Sequence, residues 1–131
     1  GFKFYISNNI KLLKKCKGDG LYLSSFNKKI YLYKNINFIG SAHNFKEISE
    51  KITQGCKTIF LSRLFKTSYK NKKKFLGVLK FNLMIQKYKV SLVPLGGIKK
   101  INLLKLNLVK SDGLALLSEV KKKPVIANRL F

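Results

Sequence analysis

Acidic residues are what this sequence lacks most. Its 131 residues hold five carboxylates, Asp19, Glu47, Glu50, Asp112 and Glu119, against 28 lysines and arginines, for a net charge of +23. No pair among the five is spaced to grip a divalent ion, so a metal centre built on an acidic pair is excluded. The two cysteines, Cys16 and Cys56, lack metal-ligand spacing and read as reduced thiols. No apolar run has the length of a membrane span. The start, Gly1-Phe2-Lys3-Phe4-Tyr5-Ile6, is too short and too broken by lysine for a signal peptide. The expectation is a cytoplasmic chain with no membrane partner. An initiating methionine is also missing, which suggests a domain that is N-terminally incomplete.

Arginine and tryptophan are the next absences. Arg63 and Arg129 are the two arginines among the 28 basic residues, and tryptophan is absent. A charge of this size suits a polyanion partner, but nucleic-acid readers rely on arginine for bidentate contacts to bases and phosphates. The abundance of Lys, Asn, Ile, Phe and Tyr is what A/T-heavy codons produce, so the charge reads as a solvated lysine shell. No specific nucleic-acid partner is expected, although phosphorylated ligands would still be attracted. A basic nucleic-acid-binding module is the rival reading from another class; it requires the lysines to gather on one face.

What the sequence does hold is a regular alternation. Short apolar runs of strand type recur at Phe2–Ile6, Gly20–Leu23, Asn37–Ala42, Thr58–Ser62, Ser91–Leu95 and Gly113–Leu117, the pattern of strands buried on both faces of a parallel sheet. Helical spacing of apolar residues fills Asn8–Lys15, Asn44–Gln54, Leu76–Tyr88 and Ile98–Val109, with a short helical connection over Lys28–Lys34. Asn44 and Glu47 form a capping-box pattern at one helix start, and Gly55 suits its end. Strand–helix repetition predicts right-handed βαβ units. The whole, residues 1–131, is expected to be one α/β domain of the (β/α)8 TIM-barrel type, with about six βα units present. The first and last strands are then open edges, closed by absent units or by another chain; a doubly wound open sheet is the alternative.

Position singles out the candidates for chemistry, because a β/α barrel gathers its ligand groups where strands end and helices begin. His43, the one histidine, stands just past a strand end beside a helix cap and could act as a general acid or base. Gly96-Gly97 follows the run Leu92–Leu95, where glycine lets the backbone approach a ligand and offer amides to an anion. Leu117 and Ser118 close the last strand. With the two glycines they match the place where many barrels bind phosphate, after their last two strands. Thr67 and Lys70 lie in the long lysine-rich loop Leu64–Phe75 that follows a strand. Asp19 and Asp112 each stand in an Asp-Gly pair before a strand and read as turn residues. Glu47 and Glu50 belong to the polar face of a helix.

In that order the motifs resemble the thiamine-phosphate synthase/TenI family. They are Ile6-Ser7-Asn8-Asn9, Asp19-Gly20-Leu21-Tyr22-Leu23, Gly40-Ser41-Ala42-His43, Leu61-Ser62-Arg63-Leu64-Phe65-Lys66-Thr67, Leu95-Gly96-Gly97-Ile98 and Gly113-Leu114-Ala115-Leu116-Leu117-Ser118, with Leu76-Gly77 through Phe81 after the long loop. The resemblance implies a barrel of which this chain covers the third to eighth strands. It also implies a synthase that couples a hydroxymethylpyrimidine diphosphate to a thiazole phosphate and releases pyrophosphate. By the same resemblance, Ser41, Thr67 and Lys70 hold the diphosphate. Gly96, Gly97, Leu117 and Ser118 offer amides to the thiazole phosphate.

Two aspartates that hold Mg²⁺ in the family correspond to Asn8 and Asn27 here, and a strand histidine corresponds to Tyr22. Asparagine presents a neutral carbonyl where the ion wants a carboxylate, so the Mg²⁺ that the family implies would bind much more weakly. TenI-type relatives isomerise a thiazole carboxylate phosphate without that metal, using the histidine that matches His43 in proton transfer. A tautomerase of that type, or a non-catalytic binder of phosphorylated thiazole, is therefore the alternative to the synthase. A homo-oligomer is compatible with either.

Overall fold

The computed structural model describes residues 1–68 and 74–116. The elements run β1 (Tyr5–Ser7), α1 (Ile10–Cys16), β2 (Gly20–Leu23), β3 (Phe38–Ala42), α2 (Phe45–Thr53), β4 (Cys56–Ser62), α3 (Gly77–Lys87), β5 (Ser91–Leu95) and a 3-10 helix (Lys100–Leu108). The strands form one sheet in the order β1-β2-β3-β4-β5, and β1 to β4 pair in parallel. Sequence order and spatial order coincide, so each strand lies beside its neighbour in the chain. Among the described residues the sheet is open. The sixth strand expected at Gly113–Leu117 is reduced to one parallel bridge between Ala115 and Leu95, and Leu117 lies outside the described residues.

The chain divides into two compact units, residues 1–61 with 90–92, and residues 62–89 with the chain from 93 onward. In the first unit, the register places Leu21, Leu23, Phe38, Gly40, Ala42, Ile59 and Leu61 on one sheet face, and all are buried. Tyr22, Ile39, Thr58 and Phe60 share the opposite face and are only half-buried, although Ser41 beside them is buried. The rings of Tyr22 and Phe60 approach to 6.4 Å on that face. Burial on both faces, the reading drawn from the apolar runs, therefore holds fully for one face alone.

Under the buried face lies a lysine with no exposed surface. Gly40 makes room for it: a Cβ there would stand 2.7 Å from the Lys51 Cδ and 3.0 Å from the Cys56 Sγ. The Lys51 ammonium donates to the Asn27 carbonyl and to the Gln54 Oε1, each at 2.7 Å. Gln54 in turn donates through Nε2 to the carbonyls of Asn27 (2.8 Å) and Lys29 (2.9 Å). These contacts overturn one expectation: Lys28–Lys34 is not helical. The carbonyls of residues 27 and 29, which a helix would pair with N–H groups four residues on, are taken by side chains of α2. The Lys29 N–H is turned back onto the Asn27 Oδ1 at 3.0 Å, an Asx turn. Burial lowers the Lys51 ammonium below its ordinary value, against the pull of Glu50 and Glu47, and pushes the Cys56 thiol up to about 11.

The second unit is built on α3, which buries Phe81 and Met84. Asn82 stitches α3 to the end of the 3-10 helix, donating to the Leu108 carbonyl at 2.7 Å and accepting from the Lys110 N–H at 2.9 Å. Of the segment 98–109, whose spacing predicts a helix, Lys100–Leu108 is helical but wound as 3-10, and none of those nine residues is buried. Nine residues is long for that tighter winding.

Lys51→Ala removes the stem that fills the space over Gly40 and leaves the Gln54 Oε1 without its donor. Urea denaturation should show a loss of about 2–3 kcal/mol in stability, with the m-value unchanged.

Candidate functional site

In the first unit the polar groups gather where β1, β2 and β3 end. Asn8 follows β1 with φ +53, a left-handed conformation that asparagine tolerates better than most residues. Its N–H donates to the Tyr22 carbonyl at 2.8 Å, locking it beside β2. Its Oδ1 accepts from the Ser24 N–H at 3.1 Å and from the Asn27 Nδ2 at 2.8 Å. Its Nδ2 donates to the Ser7 and Ser24 hydroxyls at 3.2 and 3.0 Å. The two asparagines singled out from the sequence are thus in contact. Ser24, which sequence reasoning passed over, binds Asn8 through both its N–H and its hydroxyl.

These residues do not fit a Mg²⁺ ion. The cluster carries no carboxylate, its amide oxygens already accept N–H groups, and among the described residues no three of His, Cys, Asp and Glu converge.

The end of β3 carries Ser41, which is buried, then His43, which is exposed. Asn44 caps α2 by accepting the Glu47 N–H at 2.9 Å, as the sequence pattern requires. Glu47 reaches back one residue further than a capping box predicts. Its Oε2 accepts the His43 N–H at 2.7 Å and contacts the His43 Nδ1 at 2.9 Å. One carboxylate oxygen therefore fixes both the backbone and the ring of His43. Burial pulls the Glu47 carboxyl upward. The hydrogen bonds from His43 and Asn44 and the charge of His43 outweigh it, holding the group below its ordinary value. Beside this helix start an open hollow of about 420 Å³ is lined by Ser25, Phe26, Lys28, Asn44, Lys46, Glu47 and Glu50.

In the second unit, the chain leaving β4 runs alongside the turn after β5. The Leu64 N–H donates to the Leu95 carbonyl at 3.0 Å, and the Phe65 N–H to the Gly96 carbonyl at 3.1 Å. Gly96 and Gly97 adopt φ +93 and +71, the left-handed region. A Cβ at Gly97 would run into the Phe65 carbonyl, so the turn needs glycine for space as well as for conformation. The Gly97 carbonyl accepts from the Asn102 Nδ2 at 2.7 Å, and its N–H has no acceptor among the described residues. Two residues past Phe65, the Thr67 Oγ1 is buried and has no hydrogen-bond partner among the described residues. A buried hydroxyl left in this state is costly unless water, a protein group or a ligand completes it. Lys70, Leu117 and Ser118 lie outside the described residues.

The family model for thiamine monophosphate synthase matches residues 1–120. The chain belongs to the thiamine monophosphate synthase family. Among solved structures it is similar to a thiamine phosphate pyrophosphorylase from Pyrococcus furiosus, at 20% identity and a TM-score of 0.74, over 90% of this chain and 58% of that one. The chain therefore spans little more than half the length of that relative, and the likeness shows the fold. No curated protein matches the chain. Among the described residues, no helix is long and apolar enough to cross a membrane.

Gly97→Ala should cost about 2–4 kcal/mol in urea denaturation, since both its φ and the Phe65 carbonyl oppose a side chain. The Glu47 tie is open to a pH test. Its folded-state value lies below the unfolded one, so its stabilisation is complete above the ordinary value of 4.5 and is lost as pH falls through the depressed value. Wild type should exceed Glu47→Gln by about 1 kcal/mol at pH 7, and urea midpoints should converge as the pH approaches 3.

Proposed function

We propose that this chain is a thiamine-phosphate synthase-type protein that couples a hydroxymethylpyrimidine diphosphate to a thiazole phosphate. The observation that carries this reading is the buried Thr67 hydroxyl, without a hydrogen-bond partner among the described residues, at the position the family resemblance assigns to the diphosphate. In the reaction the bond from the pyrimidine methylene carbon to the diphosphate oxygen breaks, and its electron pair leaves on the diphosphate. The thiazole nitrogen supplies the pair for the new C–N bond. Thr67 donates a hydrogen bond to the departing group, and Lys70 adds charge. The Gly97 N–H, with Gly96, Leu117 and Ser118, receives the thiazole phosphate; backbone amides in a glycine turn suit such a dianion. The half-buried sheet face bearing Tyr22, Ile39, Thr58 and Phe60 supports reading the open sheet as an arc of a (β/α)8 barrel, whose inner wall this face would be.

A second reading is favoured by the Glu47–His43 contact. With Nδ1 held against the carboxylate as the N–H, the other ring nitrogen is left as an acceptor. A base prepared in this way suits proton transfer on a thiazole phosphate, the tautomerase reading.

Supplying this chain with both phosphorylated halves decides between them. The synthase reading expects thiamine phosphate and pyrophosphate, with kcat/KM reduced about 10- to 100-fold by Thr67→Val. Absence of product would remove that reading. Thiazole isomerisation lost on His43→Ala and spared by Thr67→Val would establish the tautomerase instead.

A further inference from the structure

We infer that the cluster of Asn8, Ser24 and Asn27 excludes a divalent cation, and that this chain meets the charge of a phosphorylated ligand without one. The inference rests on the diphosphate reading above for the ligand, but the exclusion itself rests on the cluster.

Four hydrogen-bonding positions of the Asn8 amide are in use, two accepted at Oδ1 and two donated from Nδ2. The orientation is not arbitrary. Rotating the Asn8 amide by half a turn would set its NH₂ against the Ser24 N–H, donor against donor. The Lys29 N–H fixes Asn27 in the same way: its Oδ1 accepts there, while its Nδ2 donates to Asn8 Oδ1 and to the Tyr31 hydroxyl at 3.2 Å. A cation entering between the two asparagines would have to break an N–H bond to the Asn8 Oδ1, whose two acceptor positions are both taken, and it would gain only neutral dipoles in return.

Charge works in the same direction. The buried Lys51 ammonium binds the Asn27 carbonyl at 2.7 Å, so a fixed positive charge already sits on the residue that would be a ligand. Ammonium and divalent ion repel across one residue. An anion is favoured by the chain's net charge of +23 and, within the second unit, by the Thr67 hydroxyl and the Gly97 N–H.

Two measurements on this chain test the inference. Mn²⁺ titration followed by electron paramagnetic resonance should show no retained ion at millimolar Mn²⁺. The double variant Asn8→Asp, Asn27→Asp should bind Mn²⁺ at least tenfold more tightly. Calorimetry with inorganic pyrophosphate should give the same Kd within twofold in EDTA and in Mg²⁺, after allowance for the magnesium–pyrophosphate complex formed in solution. One Mn²⁺ retained by the wild-type chain at tens of micromolar overturns the inference, as does a tenfold tightening of pyrophosphate by Mg²⁺. A folded double variant that gains no Mn²⁺ overturns the assignment of the ion's place to this cluster. Should pyrophosphate fail to bind in either buffer while Mn²⁺ is also not retained, the exclusion of the cation stands and the diphosphate reading falls.

Discussion

A single ammonium, that of Lys51, organises the first unit. Its stem lies in the gap left by Gly40 on β3, and its head ends on the Asn27 carbonyl and the Gln54 amide. A fully buried lysine is costly unless its charge is hydrogen-bonded. Here the cost is offset by two short bonds and by the Gln54 bonds that share the same carbonyls. The consequence reaches the sheet's end. Holding the backbone of Asn27 holds its side chain against Asn8, and Asn8 is pinned to Ser24 and to the carbonyl of Tyr22.

Each unit carries its own kind of constraint. In the first, at the ends of β1 and β2, neutral amides and hydroxyls form a closed network. Networks of this kind are rigid when every member is satisfied, and they resist any ligand that must take a member away. At the ends of β4 and β5 the groups are left open. Among the described residues, neither the Thr67 hydroxyl nor the Gly97 N–H has a partner. The first kind suits an inert wall and the second suits a ligand's oxygens.

Much of this was legible from residue order. The helix start at Asn44 was visible because capping is local: one side chain, three residues, one N–H. The glycine turn was visible because few residues other than glycine accept a positive φ. Other features were not legible. Glu47 bonds His43 rather than the backbone of Asn44, since the choice between two adjacent N–H groups depends on how the chain enters the helix. Lys51 carried no signal at all. In a chain so rich in lysine, nothing in its neighbours' identities distinguishes the one that turns inward.

The sequence by itself determined the alternation of strands and helices, the parallel sheet it implies, and the residues that stand at strand ends. Periodicity and capping are properties of a few neighbouring residues, so they survive without knowledge of the fold. Tertiary structure alone decided that residues 28–34 would not be a helix. It also decided which lysine would be buried, and that the two asparagines would satisfy each other. Those outcomes depend on groups 16 to 27 residues apart in the chain, brought together only when α2 packs against the sheet, and no local pattern encodes such a distance.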